Sequence, residues 1–454
     1  MKTNSHKKKY GKSISIIEEK LKRIPIKKLS KQSGFCKRKP RKVKPKELLV
    51  AFIQIMCGLK KNTYSNWANQ LGILIKATVS KQAISKRMKE ALVIFLQSVL
   101  KEIMEESLKT RTKEKVCEKL KQFKRILIED STSIKLNNRL SKEYPGNKNY
   151  NGKTYAVLKI QSMYDILKRR FIRFEITSFR KNDQGYSSKI LEIAKRGDLV
   201  IRDLGYFVLK VFKRLSEGGI YFISRLRKEV NVHAKSEGKE EKPIDLASIL
   251  KKRGSLDIEA FIGERDKLPA RLVAIPADKN IAERRRRKAR KNRDRRLNPS
   301  RKHLFLLGWD IFITNIEKEK LDSNLIAMLY GIRWRIEIIY KSWKSYLGIT
   351  NVPNDANKIR LEAFIYCMLI FILIFQVYFY EYYLKNQKGE NIQRISLLKL
   401  MQFLLNNISF IIYLDYFNKK LSMKKLLDKQ ILYFCTYEHR KDRMNYNQLI
   451  QKLS

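Results

Sequence analysis

Tyr330, Arg333, Glu337 and Lys344 follow one another at steps of three, four and seven residues. At about 100° per residue, those steps keep four helical side chains within roughly 60° of one another. A stripe of one phenol, one carboxylate and two cations is poor material for an apolar seam. It suits the holding of a phosphate beside a carboxylate, because arginine grips phosphate bidentately and lysine acts as a point charge. The competing reading is an i,i+4 Arg–Glu pair on a solvated surface, worth a few tenths of a kcal/mol. Taken alone, the stripe does not separate the two. Two more acids weigh on the choice: Asp130 closes the apolar run RILIED, and Asp203 closes LVIRD.

The elements that must position these acids follow from periodicity and punctuation. Asp322 and Ser323 can cap a helix, Gly348 can end it, and no proline intervenes, so Asp322 to Gly348 reads as one long helix. Ile332, Ile336, Ile339 and Trp343 lie mainly on its other faces and can pack. Upstream, strands are expected at Arg125 to Asp130, Tyr155 to Asp165 and Arg169 to Phe179. A helix begun by Asp183 and ended by Gly197, a strand Leu199 to Asp203, a helix Tyr206 to Ser216 and a strand from Ile220 complete the series. The order β-β-β-α-β-α-β implies an α/β layer structure, a mixed sheet with helices on both faces. It is also the order of ribonuclease H-like folds. In that topology the first and fourth strands are neighbours, so Asp130 and Asp203 stand side by side. Unpaired carboxylates in contact repel; a divalent metal lets a chain keep them there.

The remaining segments frame this core. Residues 225–315 read as a β-rich insertion whose basic run, Glu283 to His303, presents arginines to a phosphate backbone. The expected organisation is a basic helical region at 1–115 and a first part of the ribonuclease H-like layer at 116–224. The insertion follows at 225–315, then a second part of that layer at 316–385 and a helical region at 386–454. Near the N-terminus three helices are expected, at Glu47 to Leu59, Thr63 to Leu71 (stopped by Gly72) and Val79 to Leu100. The third exposes Lys81, Gln82, Ser85, Lys86 and Arg87, a set suited to groove edges and phosphates, which suggests a helix-turn-helix-like module. An ordinary surface helix is the alternative there.

Ninety-nine basic residues against 44 acidic ones give a formal net charge of +55. A polyanion partner explains such an excess, and nucleic acid is the first candidate. Five scattered cysteines without CxxC or Cys-His spacing read as free thiols in a reducing compartment, and a zinc site is not expected. The basic start has no apolar core after it, so no signal peptide is expected. Ala363 to Tyr380 is long enough for a bilayer span. Gln376 and the adjacent Glu337 helix favour a buried core helix instead.

Asp130 in EDSTSIKL, Asp203 in IRDLGYF and Glu337 in YGIRWRIEIIYKSWK together resemble the three acids of DDE transposases of the insertion sequence 4 (IS-4) family. Tyr330, Arg333, Glu337 and Lys344 match that family's signature at its full spacing. SKEYPGNKN, AVLKIQSMYD and KNDQG also resemble family segments, and the likeness covers roughly residues 30–385. It implies that Asp130, Asp203 and Glu337 bind two Mg²⁺ (or Mn²⁺) ions, with Tyr330, Arg333 and Lys344 holding phosphates near the cut. Trp334 matches an aromatic position of the family; Trp309 lies about one residue from where some relatives hold a flipped base. The resemblance further implies cutting at both element ends through hairpin intermediates without a covalent protein–DNA link, then joining to target DNA. Two protomers are expected in the synaptic complex of this cytoplasmic, nucleoid-associated protein, with no membrane partner. An inactive DNA-binding remnant, or a ribonuclease H-like nuclease acting on branched DNA, are the alternatives.

Overall fold

Branched aliphatic residues dominate ILIE and LVIR, and both runs form strands closed to solvent on both faces, as at the centre of a sheet covered by helices. The computed structural model describes residues 21–40, 42–56, 62–109, 118–148, 150–234, 243–291, 298–375, 395–407 and 429–436. Its sheet begins with β1 (Ile126–Lys135), β2 (Pro145–Lys148), β3 (Thr154–Asp165), β4 (Arg170–Ser178), β5 (Leu199–Arg202) and β6 (Tyr221–Arg225). β1 pairs antiparallel with β3, and β3 with β4, while β5 runs parallel to both β1 and β6. The series β4-β3-β1-β5-β6 is the ribonuclease H-like order anticipated above.

Residues 225–315 do not form a separate layer. β7 (Val232–Ala234), β8 (Leu256–Ile262), β9 (Leu268–Pro276) and β10 (Trp309–Thr314) carry the same sheet onward, in the order β6-β10-β9-β8-β7. The open edge of β6 supplies the ladder that β10 joins. The basic run is partly helical, over Lys279–Arg290, and two of its arginines turn inward. Arg285 pairs with Asp310 at 2.7 Å, and the Arg286 Nε–H donates to the Leu304 carbonyl at 3.1 Å. Those two are structural, not free for a phosphate backbone.

Helices cover both faces, as expected. The N-terminal part supplies α1 (Pro45–Gln54), α2 (Tyr64–Ile75), α3 (Lys81–Ser85) and α4 (Glu90–Lys109). Later come α5 (Leu209–Glu217), α6 (Ser323–Ile332), α7 (Trp334–Ser345) and α8 (Lys358–Ile374). Ile126, Ile128, Leu199, Ile201 and Ile223 face the core shared by α1, α4 and α6 to α8. Leu127, Val200 and Phe222 face the other way, onto Val211, Phe212 and Leu215 of α5. Period-two alternation thus divides each central strand between two cores.

Several expected boundaries move. The single helix from Asp322 to Gly348 is two helices meeting at Arg333. There the Arg333 N–H bonds Tyr330 at 3.1 Å and the Ile336 N–H bonds Arg333 at 3.2 Å, a tight i→i−3 step. The third N-terminal helix likewise splits into α3 and α4, through tight bonds from Arg87 to Ile84 and from Met88 to Ser85. Gly72 does not stop α2. Lys76 ends it in the left-handed region (φ 53°), and a Cβ on Gly72 would stand 2.8 Å from the Ala77 carbonyl. The helix expected from Asp183 to Gly197 is only one turn, Asp183–Tyr186, followed by a 3-10 stretch at Ser187–Glu192.

The apolar run is a core helix. From Ala363 to Ile374 every α8 residue is buried, against α4 and α1; residues 376–380 of the run lie outside the described residues. Among the described residues no helix is long and apolar enough to cross a membrane. Cys36, Cys367 and Cys435 are free thiols, whereas Cys57 and Cys117 lie outside the described residues. Within the helical region expected at 386–454, Leu397–Asn406 is a helix, and residues 386–394, 408–428 and 437–454 lie outside the described residues.

Candidate active site

The parallel ladder between β1 and β5 ends at the pair Glu129–Arg202, and the next residue on each strand is an aspartate. Two positions beyond Ile128 and Ile201, Asp130 and Asp203 point to the face covered by α7. Asp203 stands one residue past the end of its strand, at the start of a 3-10 turn. Asp130 lies mid-strand instead, because β1 continues along β3 as far as Lys135. Glu337 arrives on the first turn of α7.

All three acids meet one guanidinium. Arg333 Nη1 lies 2.7 Å from Glu337 Oε1 and 3.9 Å from Asp130 Oδ2, and Nη2 lies 3.7 Å from Asp203 Oδ1. Residues 130, 203 and 337 therefore converge from three separate segments. A cavity of about 480 Å³ opens over them. Asp203 and Glu337 are open to it, with 43% and 35% of their side chains exposed. Asp130 is deeper. Its carboxylate accepts the Ser131 N–H at 2.7 Å, and its carbonyl accepts the Tyr340 O–H at 2.7 Å.

One positive charge faces three negative ones. Burial pushes the Asp130 carboxyl up to about 7; the Ser131 amide and Arg333 oppose the shift, and Glu337 and Asp203 add to it. Burial alone works to lower Arg333, but Tyr330 and the three acids outweigh it and hold its pKa above the usual value. A stability prediction follows for the metal-free chain. Between the ordinary Asp pKa of 3.8 and about 7 the folded chain binds a proton at Asp130 that the unfolded chain does not. Stability from this group therefore falls as pH rises across that window, by up to about 1.4 kcal/mol per unit. Thermal unfolding in chelator between pH 4 and pH 7 reads the slope, and Asp130→Asn should flatten it.

The other anticipated residues divide into those on the cavity wall and those behind or away from it. Lys344 lines the cavity and is exposed. Tyr330 does not: its ring packs on Phe312 at 5.1 Å and lies 5.6 Å from the Arg333 guanidinium, so it backs the arginine. Trp334 is half exposed with Arg333 over its ring at 5.6 Å. Trp309 packs on Phe305 at 4.4 Å, and its indole N–H donates to the Gly254 carbonyl at 3.1 Å. Lys81, Gln82 and Lys86 are exposed on and just after α3, outside this cavity. Arg87 instead donates to the Ala83 carbonyl at 2.6 Å and so closes its own helical turn. Five wall residues went unanticipated, Ser131, Thr132, Tyr340, Lys341 and Ser345. Lys341 stands four residues after Glu337, a spacing that marks it as a neighbour on the same helical face.

Among the described residues no three His, Cys, Asp or Glu side chains are closed around a metal position; the three carboxylates enclose Arg333 instead. The donors nevertheless fit a hard divalent cation. All are carboxylate oxygens, two are open to solvent, and a single guanidinium leaves the group short of positive charge.

A ribonuclease H-like sheet carrying an aspartate on each of two central strands and a glutamate on a following helix is the framework of DDE enzymes. The chain belongs to the DDE transposase family: residues 121–372 match the family model described as the transposase DDE domain. It is 31% identical to the transposase for insertion sequence element IS231B of Bacillus thuringiensis subsp. berliner, over 77% of this chain and 76% of that one. It is 26% identical to the transposase for insertion sequence element IS1151 of Clostridium perfringens, over 77% and 76% of the two chains. A solved piggyBac transposase synaptic complex with hairpin DNA aligns at a TM-score of 0.40 and 12% identity, over 92% of this chain and 83% of that one. That likeness is too distant to bear on the site.

Proposed function

We propose that this protein is the transposase of a bacterial insertion sequence, cutting DNA at its element's ends and joining them to target DNA. Asp130, Asp203 and Glu337 are the catalytic acids and would hold a pair of Mg²⁺ or Mn²⁺ ions. The carrying observation is the convergence of these three acids, from segments far apart in the chain, around Arg333 in one open cavity. The chemistry such a pair supplies when bound is activation of a water or 3′-hydroxyl and neutralisation of the departing 3′-oxygen.

The chain's own residues do the rest. Arg333, once divalent charge satisfies the carboxylates, is free to grip a phosphate bidentately. Lys344 and Lys341 line the mouth and attract the backbone as point charges. Tyr330 and Trp334 fix the Arg333 plane from behind and beside it. No serine or tyrosine nucleophile is required. Hairpin formation at the flanks, a synaptic homodimer and location at the nucleoid complete the reading.

Purified protein incubated with DNA carrying the element's ends tests it. Cutting that needs Mg²⁺ and a strand-transfer product are expected. Cutting of branched DNA without strand transfer would identify a nuclease instead, and end binding without cutting an inactive remnant. End recognition is assigned to the α3 surface. Lys81→Ala with Lys86→Ala should weaken binding and lower the slope of log affinity against log salt by about two. An unchanged slope in a gel-shift series would move recognition elsewhere.

A further inference from the structure

Behind the three acids, on the opposite face of β1, a fourth carboxylate gathers three donors. Asp183 Oδ1 accepts from Ser131 Oγ at 3.2 Å, from Lys159 Nζ at 3.0 Å and from Gln161 Nε2 at 3.1 Å. Lys159 and Gln161 stand on β3, directly across from Ser133 and Ser131 of β1. Lys159 is buried and ion-paired to Asp183, so this fourth acid carries its own counter-charge. The phosphoryl-transfer chemistry assigned above uses none of these groups.

Two of these bonds, those from Ser131 and Gln161, lead toward the two aspartates. Ser131, held through its hydroxyl by Asp183, gives its backbone N–H to Asp130 Oδ1 at 2.7 Å. Gln161, held through its amide nitrogen by Asp183, accepts the Tyr206 O–H at its oxygen at 2.5 Å. Tyr206 closes the 3-10 turn that follows Asp203, its N–H donating to the Asp203 carbonyl at 3.0 Å. That turn also rests on Asp183 directly: a Cβ added at Gly205 would stand 3.2 Å from Asp183 Oδ2.

We infer that Asp183 is a positioning residue, tying the strand that carries Asp130 to the turn that follows Asp203 and so fixing the separation of the two carboxylates for divalent metal. The inference rests on the assignment of Asp130 and Asp203 as metal carboxylates. Losing a group that hydrogen-bonds a metal ligand directly weakens metal binding by about 10- to 100-fold, and Asp183, one bond further out, belongs at the lower end of that range.

The test is Mn²⁺ binding to the full-length protein, followed by the paramagnetic resonance of the free ion, with thermal unfolding in chelator recorded alongside. Asp183→Ala should weaken Mn²⁺ binding roughly tenfold, raise the Mn²⁺ needed for half-maximal cutting by the same factor, and regain most of the rate at saturating metal. Asp183→Asn, which keeps an acceptor oxygen, should recover part of the loss. Tyr206→Phe removes only the hydroxyl that reaches Gln161, and should shift binding in the same direction by less; it decides the matter if Asp183→Ala fails to fold. Unchanged Mn²⁺ affinity in folded Asp183→Ala, or in Tyr206→Phe where that variant must decide, overturns the inference. If the unaltered protein binds no Mn²⁺, or Asp130→Asn binds it equally well, the metal assignment itself fails and takes the positioning role with it.

Discussion

Glu337→Gln is expected to slow cutting of the element's ends by on the order of 10³-fold or more while leaving their binding within about twofold. Glutamine has the size of glutamate and keeps an oxygen that can accept from Arg333, now 2.7 Å from Glu337 Oε1. The guanidinium therefore stays where it is, and the wall of the cavity is not reshaped. What disappears is one of three negative charges, and with it a ligand for hard divalent ions. Affinity for DNA draws on the basic surface and on phosphate contacts, none of which Glu337 supplies. A gel shift on end DNA and a Mg²⁺-dependent cutting assay separate the two quantities. Cutting at the unaltered rate would remove Glu337 from the catalytic set.

The second large effect falls on stability. Glu129 and Arg202 form an ion pair inside the sheet, with 1% and 0% of their side chains exposed. Arg202 also donates through Nη1 to the Ser187 hydroxyl and through Nη2 to the Ser187 carbonyl, both at 2.8 Å. Burial pushes the Glu129 carboxyl upward, and Arg202 is what pulls it back. Arg202→Met should therefore cost about 3–5 kcal/mol, since it leaves an uncompensated buried acid. Pairing it with Glu129→Leu should recover most of that loss, because the desolvation cost of both charges goes with them. Urea midpoints of the single and double variants measure the difference; a single variant within about 1 kcal/mol of wild type would show that the acid is already neutral. The pair also closes the β1–β5 ladder one residue before both aspartates, so the single variant should cut poorly as well.

Much of the candidate site was legible in the order of residues. The stripe of Tyr330, Arg333, Glu337 and Lys344 depends on a 3.6-residue period, which is a local property of the chain. Asp130 and Asp203 announced themselves by closing short apolar runs, and the succession of strands and helices then placed those runs next to each other. Other features were not legible, and each for a reason of the same kind. Nothing in ERRRRKAR distinguishes Arg285 and Arg286, which turn inward, from neighbours free to meet phosphate; only the nearness of Asp310 and the Leu304 carbonyl does. The strands of residues 225–315 could have stacked as a layer of their own, and it was the open edge of β6 that drew them into one sheet.

Composition and periodicity by themselves determined the basic character, the α/β class and a long apolar helix, and made Asp130, Asp203 and Glu337 candidates; the resemblance to DDE transposases grouped the three. Tertiary structure decided how those acids are used: that Arg333 stands between them at a break in the helix, that Tyr330 lies behind rather than on the wall, and that Asp183 braces two of them from the far face of β1. A hydrogen bond or an ion pair depends on distance in space and on how much water is excluded, not on separation along the chain. Neighbours such as Ser131 and Asp183, 52 residues apart, or Asp130 and Tyr340, 210 apart, can be known only once the strands have found their partners.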